Sequence, residues 1–386
     1  MGVAMDSTFH DTISSGSTIT STRWQPVDAP LHEAALETAP RFLYVTEQGA
    51  LLRKVGHRIQ ITKEKRLLLQ VPTIKLQGVV LYGNPQVSSQ CLRLLLDEGV
   101  WLSLFTRQGH YKGRLQPPAE RGAELRRTQW KRSQDPAFCL ELAKAWAQAK
   151  LLGGRQVAAA YAQNYLAETL GQGHLAIRQA LERIPQAKSL EELRGMEGSA
   201  SRAYWGLFRR WNLSSFAFPG RLKRGASDPV NILLNFAYTL LTRELEGLLE
   251  SAGLDPSVGF YHAPEADRPS LACDWVEEFR HVIADRLVLA LINRKQIQEK
   301  DFDLRNEKQG ARLGPSGLRT FLAAYETAMT GVRPGEPAPA AASEGPGRGY
   351  RSLMLAQLGR LLDCLKQGVI YRSHGEENER VVCGVL

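Results

Sequence analysis

Two consecutive prolines, Pro117 and Pro118, divide this chain into stretches that cannot share one regular element. A proline ring excludes an interior helix position, and a pair stiffens the segment that carries it. Before the pair, apolar residues come in short runs: Phe42–Thr46, Leu51–Val55, Arg58–Thr62, Leu67–Val71 and Gly78–Tyr82. They are rich in β-branched residues and separated by Gly49, Gly56 or charged turns, the pattern of strands. This predicts a small antiparallel β domain over residues 41–118. One helix is expected near Ser88–Glu98, ended by Gly99, with a closing hairpin of Val100–Phe105 and His110–Leu115.

After the pair the apolar period lengthens to that of helices. A linker is expected at 119–125 and an α-helical domain at 126–330. Its helices are expected at Pro136–Leu151, Val157–Leu170 and His174–Ile184. Ser189 with Glu192 reads as a capping box. Asp228-Pro229 starts a helix that ends before Gly253. Ser270 reads as the cap of another, running to about Ile292. The Pro/Ala/Gly stretch within 331–349 predicts a mobile loop, and 350–386 a last helix and tail. Residues 1–40 are polar and lack both a basic start and an apolar run, which predicts a poorly ordered leader and no signal peptide. The fold class is therefore α+β: a small N-terminal antiparallel β domain followed by a larger all-α domain.

Lys and Arg number 49 against 40 Asp and Glu, a net charge of +9 that suits a polyanionic partner. The cysteines (Cys91, Cys139, Cys273, Cys364, Cys383) form no C-x-x-C pair and are odd in number. That pattern predicts a reduced, cytoplasmic protein without a structural zinc site. No apolar run is long enough to span a membrane.

Most histidines sit at turns or chain ends. His262 is different, because its loop joins two strongly capped helices. Asp274 and Glu277 then lie one turn apart on the next helix. A loop imidazole with two co-facial carboxylates is a donor set suited to Mn²⁺ and tolerant of Mg²⁺. The acids equally complement the N-terminus of their helix, and spacing does not choose between these readings. Glu197 stands in a helix between Gly195 and Gly198, where a neighbour or ligand is expected to approach closely. Basic residues gather at Arg209, Arg210, Arg221, Lys223 and Arg224, interleaved with Trp205, Trp211, Phe216 and Phe218, and again at Arg126–Arg132. Cations with aromatic rings suit a DNA path, and the rings equally suit a core edge. Asn231, Asn235 and Tyr238 share a helix face that can support a site, contact DNA or form a polar network.

Four motifs occur in order: M-E-G-S-A-S-R-A-Y (Met196–Tyr204), D-P-V-N-I-L-L-N-F-A-Y (Asp228–Tyr238), G-F-Y-H (Gly259–His262) and S-L-A-C-D-W-V-E-E-F-R (Ser270–Arg280). Together they resemble the CRISPR-associated Cas1 ("Cas-one") family, the integrase of spacer acquisition, over roughly residues 41–330. The resemblance implies a metal-dependent DNA integrase and endonuclease. Its catalytic Mg²⁺ or Mn²⁺ would be held by Glu197, His262 and Glu277, with Asp274 as an auxiliary group. It also implies homodimers through the β domain, assembly with a small Cas2 ("Cas-two") partner into a heterohexamer, and DNA as substrate. That DNA comprises short duplex fragments with 3′ overhangs, CRISPR repeat DNA and branched DNA. Two alternatives stay open: a stand-alone structure-selective nuclease or transposon-type integrase acting outside CRISPR, and a non-catalytic DNA-binding scaffold.

Overall fold

The computed structural model describes residues 41–117, 122–162, 171–223, 225–262, 268–303, 312–331 and 349–375. The leader, Arg224 and most of the expected mobile loop lie outside the described residues.

The strand-forming runs make eight strands: β1 (Arg41–Val45), β2 (Leu51–Val55), β3 (Arg58–Lys63), β4 (Arg66–Pro72), β5 (Leu76–Tyr82), β6 (Gln86–Val87), β7 (Trp101–Phe105) and β8 (Tyr111–Leu115). Helix α1 (Ser89–Asp97) precedes β7, capped by the Ser88 hydroxyl and followed by Gly99 at φ 71°. The strands form two sheets, β1-β5-β7-β8 and β4-β3-β2-β6. The α+β class holds, but the pairing is mixed where antiparallel strands were expected. β1 pairs β5, β5 pairs β7 and β2 pairs β6 in parallel. The cause is connectivity: the whole β2–β4 meander separates β1 from β5, and α1 carries the chain back from β5 to β7. Both are crossovers that return the chain to the same end of the sheet. Gly78 lies in the central strand because any Cβ there would collide with the Phe42 ring.

Alternation in β5 serves two cores. Val79 and Leu81 pack with Leu52, Ile59, Cys91 and Leu102 between the sheets. Val80 and Tyr82 face the other way, into the helical core, with Trp101 and Phe105. The Trp101 indole lies so close to Gly247 that a Cβ would clash with it. The first sheet is thus a wall shared by both parts.

The helical part comprises α2 (Gly122–Ser133), α3 (Pro136–Ala162), α4 (Gly171–Arg183), α5 (Leu190–Trp211), α6 (Pro229–Ser251), α7 (Ser270–Arg280), a π-helical turn (His281–Asp285), α8 (Arg286–Asn293), α9 (Pro315–Thr330) and α10 (Tyr350–Gln367). A two-residue ladder, β9 (Phe302–Asp303) with β10 (Arg312–Leu313), precedes α9. None of the helices found among the described residues is long and apolar enough to cross a membrane.

The sequence reading is corrected at three points. The first two expected helices are one, since α3 runs unbroken through Gly153 and Gly154. Those glycines admit Val282 and Tyr204, whose side-chain carbons lie 3.2 and 3.1 Å from where a Cβ would stand. Ser270 is the first residue of its helix rather than the cap, and its hydroxyl is buried without a partner among the described residues. The helix it begins is interrupted at His281 by the π turn. At α5, Ser189 accepts from Glu192 N as a cap should, but the Glu192 carboxylate reaches back to Lys188 N instead of Ser189 N, so the box closes one residue early.

Arg351 ties the C-terminal helix to the rest. It is fully buried, donates to Glu326 at 2.9 and 3.0 Å, and also donates to Glu244 through Nε. Glu326 in turn accepts from the backbone N–H of Phe42 at 3.0 Å, joining β1 to α6, α9 and α10. Arg351→Met leaves two carboxylates facing each other without a cation. It is expected to lower stability by about 3–5 kcal/mol, read from urea unfolding midpoints; an unchanged midpoint would show that the pair is satisfied elsewhere.

Candidate active site

The glycine pair of α3 lets that helix approach α5 and the π turn. One turn earlier, Lys150 points into the junction of α3, α5 and α7. Its ammonium donates to Glu197 Oε1 on α5 and lies 2.7 Å from Glu277 Oε2 on α7. The Lys150 side chain is only 7% exposed. Ser201, one turn along α5, donates to the same Glu197 oxygen at 2.7 Å. Arg280, one turn along α7, grips Glu277 at 2.8 and 3.0 Å.

Burial alone would raise the pKa of both acids. At Glu197 the Lys150 charge outweighs it and holds the carboxyl below its ordinary range. At Glu277 burial is overcome first by Arg280, then by Lys150 and His262, and the carboxyl is held far below that range.

Asp274 is fully buried and its role differs from that of Glu277. Its Oδ2 accepts from the backbone N–H groups of Phe260 and Tyr261 at 2.7 and 2.9 Å. Its Oδ1 accepts from His262 N at 2.9 Å and lies 2.5 Å from His262 Nδ1. The loop is wrapped onto this carboxylate so tightly that a Cβ on Gly259 would sit 2.6 Å from Oδ2. A carboxylate at Nδ1 selects the tautomer with the proton there and leaves the Nε2 lone pair for a ligand. Arg194 of α5 staples the same loop by donating to Tyr261 O and stacking over the Tyr261 ring.

Two carboxylates and an oriented imidazole fit Mg²⁺ or Mn²⁺. The position between the carboxylates already holds a cation, in the form of the Lys150 ammonium. Among the described residues, no three His, Cys, Asp or Glu side chains form a ready metal cluster. Glu197 and Glu277 meet through Lys150, while His262 pairs with Asp274.

A second layer lies at the π turn. Buried Asp285 accepts from Tyr204 at 2.9 Å and from Tyr238, and lies 2.6 Å from His281 Nδ1. Burial pushes the His281 imidazole below its ordinary pKa. The Arg280 guanidinium that holds Glu277 sits 4.5 Å over the Tyr238 ring. Asp285 thus acts on Glu277 through Tyr238 and Arg280.

The expected DNA-facing residues divide. Asn231 is fully buried and spends its amide on Gly220 O and Leu222 N, at 2.7 and 2.9 Å, so it shapes the 220–222 loop. Tyr238 belongs to the Asp285 layer, and Asn235 donates to Leu222 O at 3.3 Å. Arg209 donates to the carbonyls of Phe218 and Pro219, and Arg221 packs over Trp205 and Tyr238. Trp211 and Phe218 are core. Arg210 and Lys223 are exposed. Partial desolvation, then the nearby Arg280 charge, lowers the Lys223 pKa, and Glu277 and Lys150 are also near enough to act on it. Space beside Gly195 and Gly198 is open, without the close protein neighbour that glycines there suggested.

Sequence reasoning missed Lys150, Arg280 and Asp285. Lys150 carried a signal, being the single charge in the largely apolar stretch between Lys144 and Arg155.

A family model described as "CRISPR associated protein Cas1" matches residues 43–327. The chain is similar to a CRISPR-associated endonuclease Cas1 of Chlorobaculum tepidum, 34% identical over 291 residues that cover 74% of this chain and 84% of the relative. In fold it is similar to a casposase bound to integration product, with TM-score 0.73 and 24% identity, covering 86% of this chain and 92% of that one. It is also similar to a chain of a Cas6-RT-Cas1–Cas2 complex, with TM-score 0.71 and 20% identity, covering 88% of this chain and 37% of that one.

Proposed function

The chain belongs to the CRISPR-associated Cas1 family, and from that premise we propose that it is the metal-dependent DNA endonuclease and integrase of spacer acquisition. The observation that carries the reading is the pair Glu197 and Glu277 closing on one cation, beside an imidazole whose Nδ1 is fixed by Asp274. The relative's name, endonuclease, supports the reaction class.

Integration is a transesterification. The 3′-hydroxyl oxygen of a short DNA fragment bonds to a phosphorus at the border of a CRISPR repeat. The bond from that phosphorus to the repeat's own 3′-oxygen breaks, and the proton lost by the attacking hydroxyl balances the one the leaving oxygen gains. When held by Glu197, His262 and Glu277, Mg²⁺ or Mn²⁺ supplies Lewis-acid polarisation of the scissile phosphate. Asp274 keeps the His262 ring turned with Nε2 outward. Arg280 and Ser201 fix the two carboxylates. Lys223 holds a phosphate near the site and Arg210 holds the DNA backbone farther along α5, a contribution of orientation. Arg209, Arg221, Asn231 and Asn235 shape the loop that presents Lys223.

The proposed setting is cytoplasmic. There the chain acts as a homodimer through the 41–118 region and joins a small Cas2 partner in a heterohexamer, with the helical 126–330 region carrying the chemistry. The Cas1–Cas2 complex named above supports that partner.

The test is strand transfer by the purified chain, with and without the small partner. It uses a duplex with 3′ overhangs, a repeat-bearing plasmid and Mn²⁺ or Mg²⁺. Joined product at repeat borders is expected, and its loss when a chelator is added. Cleavage of branched DNA without joining would favour a nuclease acting outside CRISPR. DNA binding with neither reaction would overturn the proposal.

A further inference from the structure

We propose that Lys150 is the resident counter-cation of the site, which a divalent ion must displace and which a DNA phosphate then receives, so that metal and DNA bind cooperatively. The inference rests on the metal reading given above.

Glu197 and Glu277 are both largely buried, with side chains 18% and 9% exposed, and Lys150 touches both. Two carboxylates this close and this dry stay ionised only with a cation between them. Of these two carboxylates, Arg280 is paired with Glu277. Lys150 is therefore what keeps the pair charged and converged before any metal arrives.

A divalent ion would use the same oxygens. Its bonds to them are only about 2.0–2.2 Å long, so it and the ammonium would stand within a few ångströms of each other in a poorly screened place. The ammonium has to leave. Its flexible stem allows that, but its surroundings oppose it, because Arg280 and Lys223 are already close by. Adding a divalent ion to Lys150, Arg280 and Lys223 puts more positive charge at the site than the carboxylates Glu197, Glu277, Asp274 and Asp285 offset. A phosphodiester entering the site restores the balance and gives the released ammonium a partner. Metal affinity should accordingly be weak in the free protein and rise with DNA, and the effect must be reciprocal.

The test is Mn²⁺ titration of the full chain, followed by the electron paramagnetic resonance of free Mn²⁺, with and without a duplex bearing 3′ overhangs. Wild type should bind about tenfold or more tightly with DNA. Lys150→Met should bind Mn²⁺ about tenfold more tightly than wild type without DNA, and gain little from adding it. Its melting temperature should fall without metal and recover with Mn²⁺, a larger metal-induced shift than in wild type. A purely packing role for Lys150 would give equal shifts. Lys150→Gln, which keeps hydrogen-bond donors but not the charge, should behave likewise and serves where the methionine variant does not fold. A Mn²⁺ affinity within about twofold of wild type in the soluble variant would overturn the inference. If wild type binds Mn²⁺ no better than Glu277→Gln, the metal reading itself fails.

Discussion

Glu277→Ala is expected to abolish strand transfer and, unlike an ordinary active-site truncation, to destabilise the protein by about 3–5 kcal/mol. Glu277 is the common anion of two buried cations, Lys150 at 2.7 Å and Arg280 at 2.8 Å. Without it those cations face each other across a dry junction. Glu197→Ala should be equally inactive but lose less stability, because Glu197 is more exposed and Lys150 keeps Glu277. Denaturant melts of both variants beside wild type, with strand transfer measured on the folded fraction, separate the two effects. Equal stability of the two alanine variants would argue that Lys150 and Arg280 find other partners. Wild-type strand transfer in either would remove that residue from the site.

Asp274→Asn should lower activity about 10–100-fold while leaving Glu197 and Glu277 in place. The Asp274 carboxylate accepts from three backbone N–H groups and from the His262 ring. An asparagine has one acceptor atom where two are used, so its NH₂ must confront N–H donors whichever way the amide turns. Either the loop loosens or the imidazole loses its fixed tautomer. The check is the pH profile of strand transfer with the ring signals of His262 by nuclear magnetic resonance. An unchanged profile and ring environment would show that the loop holds His262 without Asp274.

The acids also show where sequence stops being informative. Asp274 and Glu277 are three residues apart on one helix, and that spacing suggests a shared direction. Three residues leave about 60° between them, enough to send one under the Gly259–His262 loop and the other into the junction with α3 and α5. Which way each points depends on what packs beside α7, and that is tertiary. The strands were legible because alternation and turn residues are local. Their pairing was not, because parallel neighbours are set by crossovers such as β5–α1–β7. The two helices expected on either side of Gly153-Gly154 are one, and the glycines are a packing surface, since a glycine pair reads the same whether water or Tyr204 lies against it. Lys150 escaped because a lysine on an apolar helix announces a buried charge without naming its partners.

The π turn at His281–Asp285 has a consequence for how this segment can diverge. A wide turn is a surplus of chain length, and it takes up that surplus without disturbing the phase of α8 relative to α7. Exchanging residues within it changes contacts one at a time. Losing one residue would restore ordinary helix and keep everything downstream in nearly its present phase, so the change would fall on the turn that carries His281 and Asp285. Descent through this stretch can therefore proceed by substitution or by a single-codon deletion, the second moving His281 relative to Asp285 while α8 keeps its packing.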